Sequence, residues 1–204
     1  NPVNVSAEDM EGLTYEDLSD PKWKGRVAIR SSGNMYNQSL VASLIANNGV
    51  DATEKWAHRF VGNFARKPEG NDRAQIMAVA NGEADVAVAN SYYIGLMLSG
   101  KKGEEQQAAA RKVELHFPGQ DGRGAHINVS GAGLMKNAPN AGNAVKFIEF
   151  LLSKEAQSHI VNNTYEFPML EGVAPSDLIA QFGSGFKEDQ TSVASYGEFN
   201  PEAV

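Results

Sequence analysis

Asp85-Val-Ala-Val-Ala-Asn90 sets four small apolar residues between two polar ones, and Ser91-Tyr-Tyr-Ile-Gly95 follows without a linker. An unbroken apolar run of this length predicts a strand covered on both faces, as in a parallel sheet. Ser91 is a candidate cap for a helix that starts with Tyr92 and Tyr93. A strand running straight into a helix is half of a βαβ unit, so the same pattern is expected to repeat.

It does repeat upstream. Gly25-Arg-Val-Ala-Ile-Arg30 predicts a short strand, Ser31-Ser-Gly-Asn34 a tight turn, and Tyr36 to Asn47 a helix with Leu40, Val41, Leu44 and Ile45 at helical spacing. Asn47-Asn48-Gly49 predicts its C-cap. Between the two units lie a helix from Thr53 carrying Trp56, Phe60, Val61 and Phe64, and a helix capped by Asp72 and ended by Asn81-Gly82. Downstream, 100–107 reads as a charged surface stretch, 113–117 and 126–130 as strands, and Gly119-Gln-Asp-Gly-Arg-Gly124 as a flexible crossing between them. An amphipathic helix is expected from Asn140 to Leu152, another from Ser153 through Asn162, and a short one near 176–183. At the start, Ser6-Ala-Glu-Asp9 and Thr14-Tyr-Glu-Asp17 are capping boxes. Strands alternating with helices predict an α/β layer fold.

The chain has 204 residues, enough for one large domain or two small ones. It is 42% hydrophobic and 21% charged, which excludes disorder as its native condition. A net charge of −7 argues against nucleic acid, which calls for a basic stripe. With no cysteine, thiol catalysis, iron–sulfur clusters and Cys-zinc sites are excluded. Asn1-Pro2-Val3 is neither an initiator methionine nor a signal peptide, and the chain is expected to start inside a longer protein.

Three phenols fall at one kind of place. Tyr36 starts the helix after strand 25–30, and Tyr92 and Tyr93 start the helix after strand 85–90. In open α/β sheets, ligands collect beyond the carboxyl ends of strands. A phenol ionises near pH 10, but a highly charged cation can ionise it at neutral pH. Phenolate is a hard donor that suits Fe(III) better than the softer metals that thiolates prefer. Ordinary packing is the competing explanation, since tyrosines often sit half-buried with the hydroxyl in water. His58, His116, His126 and His159 are expected in surface, capping, core or hinge roles. No P-loop, HExxH or GxSxG motif is present.

Four stretches carry a resemblance. Tyr15-Glu-Asp-Leu-Ser-Asp-Pro-Lys-Trp-Lys-Gly-Arg26, Ser31-Ser-Gly-Asn-Met-Tyr-Asn-Gln-Ser-Leu40, Ala89-Asn-Ser-Tyr-Tyr-Ile-Gly95 and Gly124-Ala-His-Ile-Asn-Val-Ser-Gly-Ala-Gly133 occur in order across nearly the whole chain. Together they resemble the bacterial periplasmic ferric-iron-binding proteins, the solute-capture components of iron ABC transporters. The resemblance implies a two-lobed, transferrin-like clamshell of the type II periplasmic-binding-protein fold, here without most of its first lobe. It implies that Tyr92 and Tyr93 are Fe(III) ligands and Tyr36 a third phenolate. It also implies that residues such as Ser32, Gly33 and Asn90 would hold a synergistic carbonate or phosphate if Tyr36 did not ligate. Residues 1–122 and 174–204 are expected to form the second lobe, and 123–173 to cross into the first. The implied setting is the periplasm, the implied partners an inner-membrane permease and ATPase, and the full-length protein is expected to be a monomer and not an enzyme. Rival readings are the same fold holding an oxyanion, thiamine or polyamine, a tyrosine-ligated iron enzyme, or an interaction module without a small ligand.

Overall fold

A computed structural model describes residues 1–183 and 185–204. The element order is α1 (Ala7–Met10), β1 (Val27–Ala28), α2 (Met35–Asn48), α3 (Val50–Val61), α4 (Asp72–Ala80), β2 (Val86–Ala87), α5 (Ser91–Leu98), α6 (Glu104–Ala110), α7 (Ala141–Leu151), α8 (Lys154–Thr164), α9 (Asp177–Ala180) and α10 (Val193–Glu198). Two short 3₁₀ turns, Glu16–Ser19 and Pro21–Trp23, lead into β1.

The parallel pairing expected from the apolar runs is present but short. Val27 pairs with Val86 and Ala28 with Ala87, and Val27 also bridges Phe64 in parallel. The regular ladder is therefore two residues per strand, not the six read from each sequence run. Val86 and Ala87 are only partly buried, because both line a cavity of about 1010 Å³ on one side. Residues 113–117 and 127–130 line the same cavity. Among the described residues neither 113–117 nor 126–130 joins a ladder, which corrects the strand reading at both places. Their alternating side chains fit a strand, but among the described residues no neighbouring backbone completes the hydrogen bonds a strand needs.

The helices start and stop where side chains and glycines dictate. Asn34 accepts from the Tyr36 N–H at 3.0 Å and caps α2. Gly49, at φ +82°, ends α2, and α3 begins at Val50, three residues before the expected Thr53. Asn71, not Asp72, caps α4 through the Ala74 N–H; Asp72 is its first residue. Asn90, not Ser91, holds the N-cap position of α5, without a side-chain cap bond. The stretch 100–107 is partly the helix α6, whose buried Ala109 and Ala110 pack against α5. Both early capping boxes form as read, Ser6 with Asp9 and Thr14 with Asp17.

Apolar clusters hold the layers, the smallest of them Ala28, Ala78, Val79 and Ala84. Val27, Ile29, Leu44, Trp56 and Phe60 pack with Trp23 beneath β1. The Trp56 and Phe60 rings stack with centroids 4.7 Å apart, and Trp56 Nε1 donates to the Tyr15 carbonyl at 3.0 Å. Ile76, Ile94, Met97, Tyr165 and Ile179 form the second cluster behind α5. The segment 123–128 stays close to this body: Ala125 bridges Glu188, and His126 Nε2 lies 3.0 Å from Ser39 Oγ of α2. By contrast every residue of α7 is at least partly exposed, with Phe147 and Phe150 at 59% and 49%. No helix among the described residues is long and apolar enough to cross a membrane.

Candidate metal centre

The site stands at the carboxyl ends of β1 and β2, where the chain leaves the sheet and enters α2 and α5. Because Tyr36 is in the first turn of α2 and Tyr92 in the first turn of α5, adjacent parallel strands bring residues 56 apart in sequence to one place. The Tyr92 hydroxyl donates to the Tyr36 hydroxyl at 3.1 Å. The Tyr93 ring stacks on Tyr92, with centroids 4.3 Å apart and 29° between planes. The three phenols read from the sequence thus form one cluster.

The cluster rests on a polar base that the sequence reading did not single out. Arg30 ends the β1 segment, and its guanidinium lies over the Tyr36 ring at 5.4 Å. Its Nη1 donates to Asp72 Oδ2 at 2.5 Å. Asp72 Oδ1 accepts from the Asn90 N–H at 2.9 Å and from Asn90 Nδ2 at 3.2 Å. Asn128 Nδ2 in turn donates to Asn90 Oδ1 at 2.9 Å. Burial acts against the charge of Arg30, but Asp72, and then the Tyr93 hydroxyl, outweigh it and raise its pKa. The available signal was an arginine closing an otherwise apolar strand and an aspartate opening a helix, both on the carboxyl side of the sheet.

The three residues named as an alternative anion seat fare differently. Asn90 lines the cavity beside Tyr36, Tyr92 and Asp72, but its donors already point at Asp72. Ser32 and Gly33 lie on the exposed turn after β1, where the Gly33 N–H donates to Ser31 Oγ at 3.2 Å. No hydrogen bond among the described residues links that turn to a phenol hydroxyl.

The electrostatics bear on what could bind. Burial first, and then the hydrogen bonds with Tyr36 and Tyr93, push the Tyr92 phenol above its ordinary pKa, so it is neutral at pH 7 without a cation. Among the described residues no group of three or more His, Asp or Glu is gathered to hold a metal. The donors on offer are phenol oxygens, which as phenolates fit a hard, highly charged cation and fit soft ions poorly. His126 is not part of the cluster; it lies half-buried between Ser39 and the Tyr196 ring. His58 is exposed on α3, 3.9 Å from Glu54.

The phenols thus stand at the strand ends of an α/β body, the place where ligands of such folds collect, with Tyr36 and Tyr92 lining a cavity of about 1010 Å³. Residues 4–186 match the family described as bacterial extracellular solute-binding protein. Over 197 residues the chain is 53% identical to iron uptake protein A1 of Synechocystis sp., covering 97% of this chain and 54% of that protein. It is 30% identical over 165 residues to the major ferric iron-binding protein of Neisseria meningitidis serogroup A, covering 81% and 47%. A solved Trichodesmium structure, named as IdiA or FutA in complex with iron and citrate ligands, superposes with a TM-score of 0.91 at 49% identity. It is covered over 61% of its length, against 100% of this chain. The ferric binding protein of Campylobacter jejuni superposes at 0.90 with 40% identity, over 96% of this chain and 61% of its own. The chain belongs to the bacterial extracellular solute-binding protein family, with the type II periplasmic-binding-protein fold. It spans about half to three fifths of the length of these relatives.

Proposed function

We propose that this chain is the ligand-bearing part of a periplasmic protein that captures ferric iron and delivers it to the permease and ATPase of an inner-membrane ABC transporter. The observation that carries this reading is the contact between Tyr36 and Tyr92, both lining one cavity, with Tyr93 stacked beside them: three convertible hard donors in one cluster. On this reading Tyr36, Tyr92 and Tyr93 lose their protons as Fe(III) arrives and bind it as phenolates. The names borne by the relatives, iron uptake protein and ferric iron-binding protein, support the same cargo. The role is capture and release, not turnover.

The lobes are proposed to divide at 122 and 174. Residues 1–122 and 174–204 carry the phenols and most of the apolar side chains beneath them, and 123–173 crosses into the other lobe while returning Tyr165 to the cluster behind α5. The apolar side chains that α7 leaves exposed support this division, since Phe147 and Phe150 lie one turn apart on the same side and suit a covered interior face. Closing a second lobe over the cleft would shield the metal, and would make the intact carrier a monomer.

The test is a titration with ferric citrate followed in the visible range. Phenolate-to-iron charge transfer should colour the protein, and Tyr93→Phe should weaken binding and shift or bleach the band. A colourless wild-type mixture, or a Tyr93→Phe protein with unchanged band and affinity, would overturn the assignment.

A further inference from the structure

Asp72 is 1% exposed, and the mechanism of iron capture makes no use of it. A buried carboxylate persists only where charge and hydrogen bonds offset its lost hydration. Here both oxygens are engaged. Oδ2 accepts from Arg30 and Oδ1 from both donors of Asn90, whose N–H stands at the entrance to α5. A main-chain N–H and a guanidinium facing one point are the donors that would seat a small free anion. In this chain the protein's own carboxylate fills that seat.

The same pair ties the two tyrosine-bearing helices together. Arg30 reaches α2 through its carbonyl, which accepts from Asn37 Nδ2 at 2.7 Å, and through its guanidinium over the Tyr36 ring. Asp72 reaches α5 through Asn90, two residues before Tyr92. The chain of contacts from Asn37 to Arg30 to Asp72 to Asn90 therefore sets the separation of the two helix entrances, and with it the spacing of the phenol oxygens. One buried donor, Arg30 Nε, has no hydrogen-bond partner among the described residues, so the guanidinium keeps capacity for another acceptor.

We propose that Arg30 and Asp72 are a positioning pair for the phenol cluster, and that Asp72 acts as a built-in anion which makes a free synergistic anion unnecessary. Neither residue touches the cargo. The proposal rests on the iron reading for its consequence but not for its geometry. An external anion and Asp72 compete for the same donors, so removing the carboxylate should create an anion site where the wild type has none.

Chemical rescue tests this with formate as the probe, on the intact chain. Metal-free Asp72→Ala should be less stable than wild type, and formate should raise its melting temperature saturably while chloride does not. Wild type should show no such response. Ferric affinity of Asp72→Ala should fall about tenfold or more, the scale of one lost charge-assisted interaction, and return with formate. Asp72→Asn fills the space without the charge; it should show the loss of iron affinity and no rescue, and it decides the matter if the alanine variant does not fold. Formate stabilising wild type as strongly as the variant would overturn the proposal, as would wild-type iron affinity and an unshifted visible band in Asp72→Asn. If wild type itself takes up no iron, the functional reading fails, and the metal-free formate arm still decides whether Asp72 occupies an anion seat.

Discussion

The Tyr92 hydroxyl donates to the Tyr36 hydroxyl across 3.1 Å, joining the first turns of two helices that are separated in sequence by two further helices and a strand. Only one of these two oxygens can donate into the bond at a time, so the donating Tyr92 proton has to leave before both oxygens can face a cation.

Proton release should therefore accompany iron binding. The Tyr92 pKa is raised, so the metal-free phenol is protonated throughout the neutral range. Ferric affinity is expected to rise with pH between about pH 6 and 8, by about one log unit per pH unit for each proton displaced. Competition titrations at several pH values measure the slope, and Tyr92→Phe should lower it by about one. The stability sign runs the other way: a raised phenol pKa favours the folded state below the unfolded value of about 10, and this contribution is lost as pH climbs above it. Metal-free Tyr92→Phe should lose less stability than wild type in strong alkali.

His126 predicts the acid side. Burial pushes its imidazole down to about 4, with Asp189 opposing and Arg123 reinforcing. A depressed pKa means stability that is intact above the unfolded value of 6.5 and is lost as pH falls towards 4. The loss amounts to on the order of 3 kcal/mol if the group stays buried. Thermal melts from pH 7 down to about pH 4 should show a shallower decline in His126→Asn than in wild type. Equal slopes would place the acid sensitivity elsewhere.

Gly95 is required by packing. A Cβ built there would stand 2.7 Å from the Tyr165 Cβ and 2.9 Å from Ile179 Cδ1. Gly95→Ala should cost about 1–3 kcal/mol by overpacking, despite the better helix propensity of alanine. Denaturant melts give the value. A stabilised variant would show that α5 and Tyr165 can part without cost.

The apolar side of α7 should make the 204-residue chain associate as its concentration rises. Phe147 and Phe150 are the largest exposed members of that side. Replacing both with Asp should abolish the association, seen by sedimentation velocity, and leave the melting temperature within about 0.5 kcal/mol equivalent of wild type. Unchanged sedimentation would remove α7 as the cause.

Much of the fold could be read from the sequence because its signals are local. Ser6, Thr14 and Asn47 to Gly49 fix helix ends through bonds to residues no more than four away. The apolar runs at 27–29 and 86–89 marked the parallel strands, and the phenols were placed at the strand ends because a strand-to-helix step always leaves its first helical turn there. Cap positions were displaced by one residue at α4 and α5. Asn-Asp and Asn-Ser neighbours both have capping oxygens, and the choice at α5 fell with the pull of Asp72 on Asn90.

What the sequence by itself determined was the alternation of strand and helix, the type of donor available, and the exclusion of thiol chemistry. Tertiary structure alone decided which oxygens meet. The separation of Tyr36 from Tyr92 depends on the register of β1 with β2, and the capture of Asn90 by Asp72 depends on α4 packing against α5. Neither is encoded in spacing along the chain, because contacts over 18 and 56 residues are fixed by how layers pack, not by local backbone preference. The short ladder has the same origin. Residues 113–117 and 126–130 carry strand-like patterns, but a strand becomes regular only when another backbone lies within hydrogen-bonding distance, and here the cavity lies between.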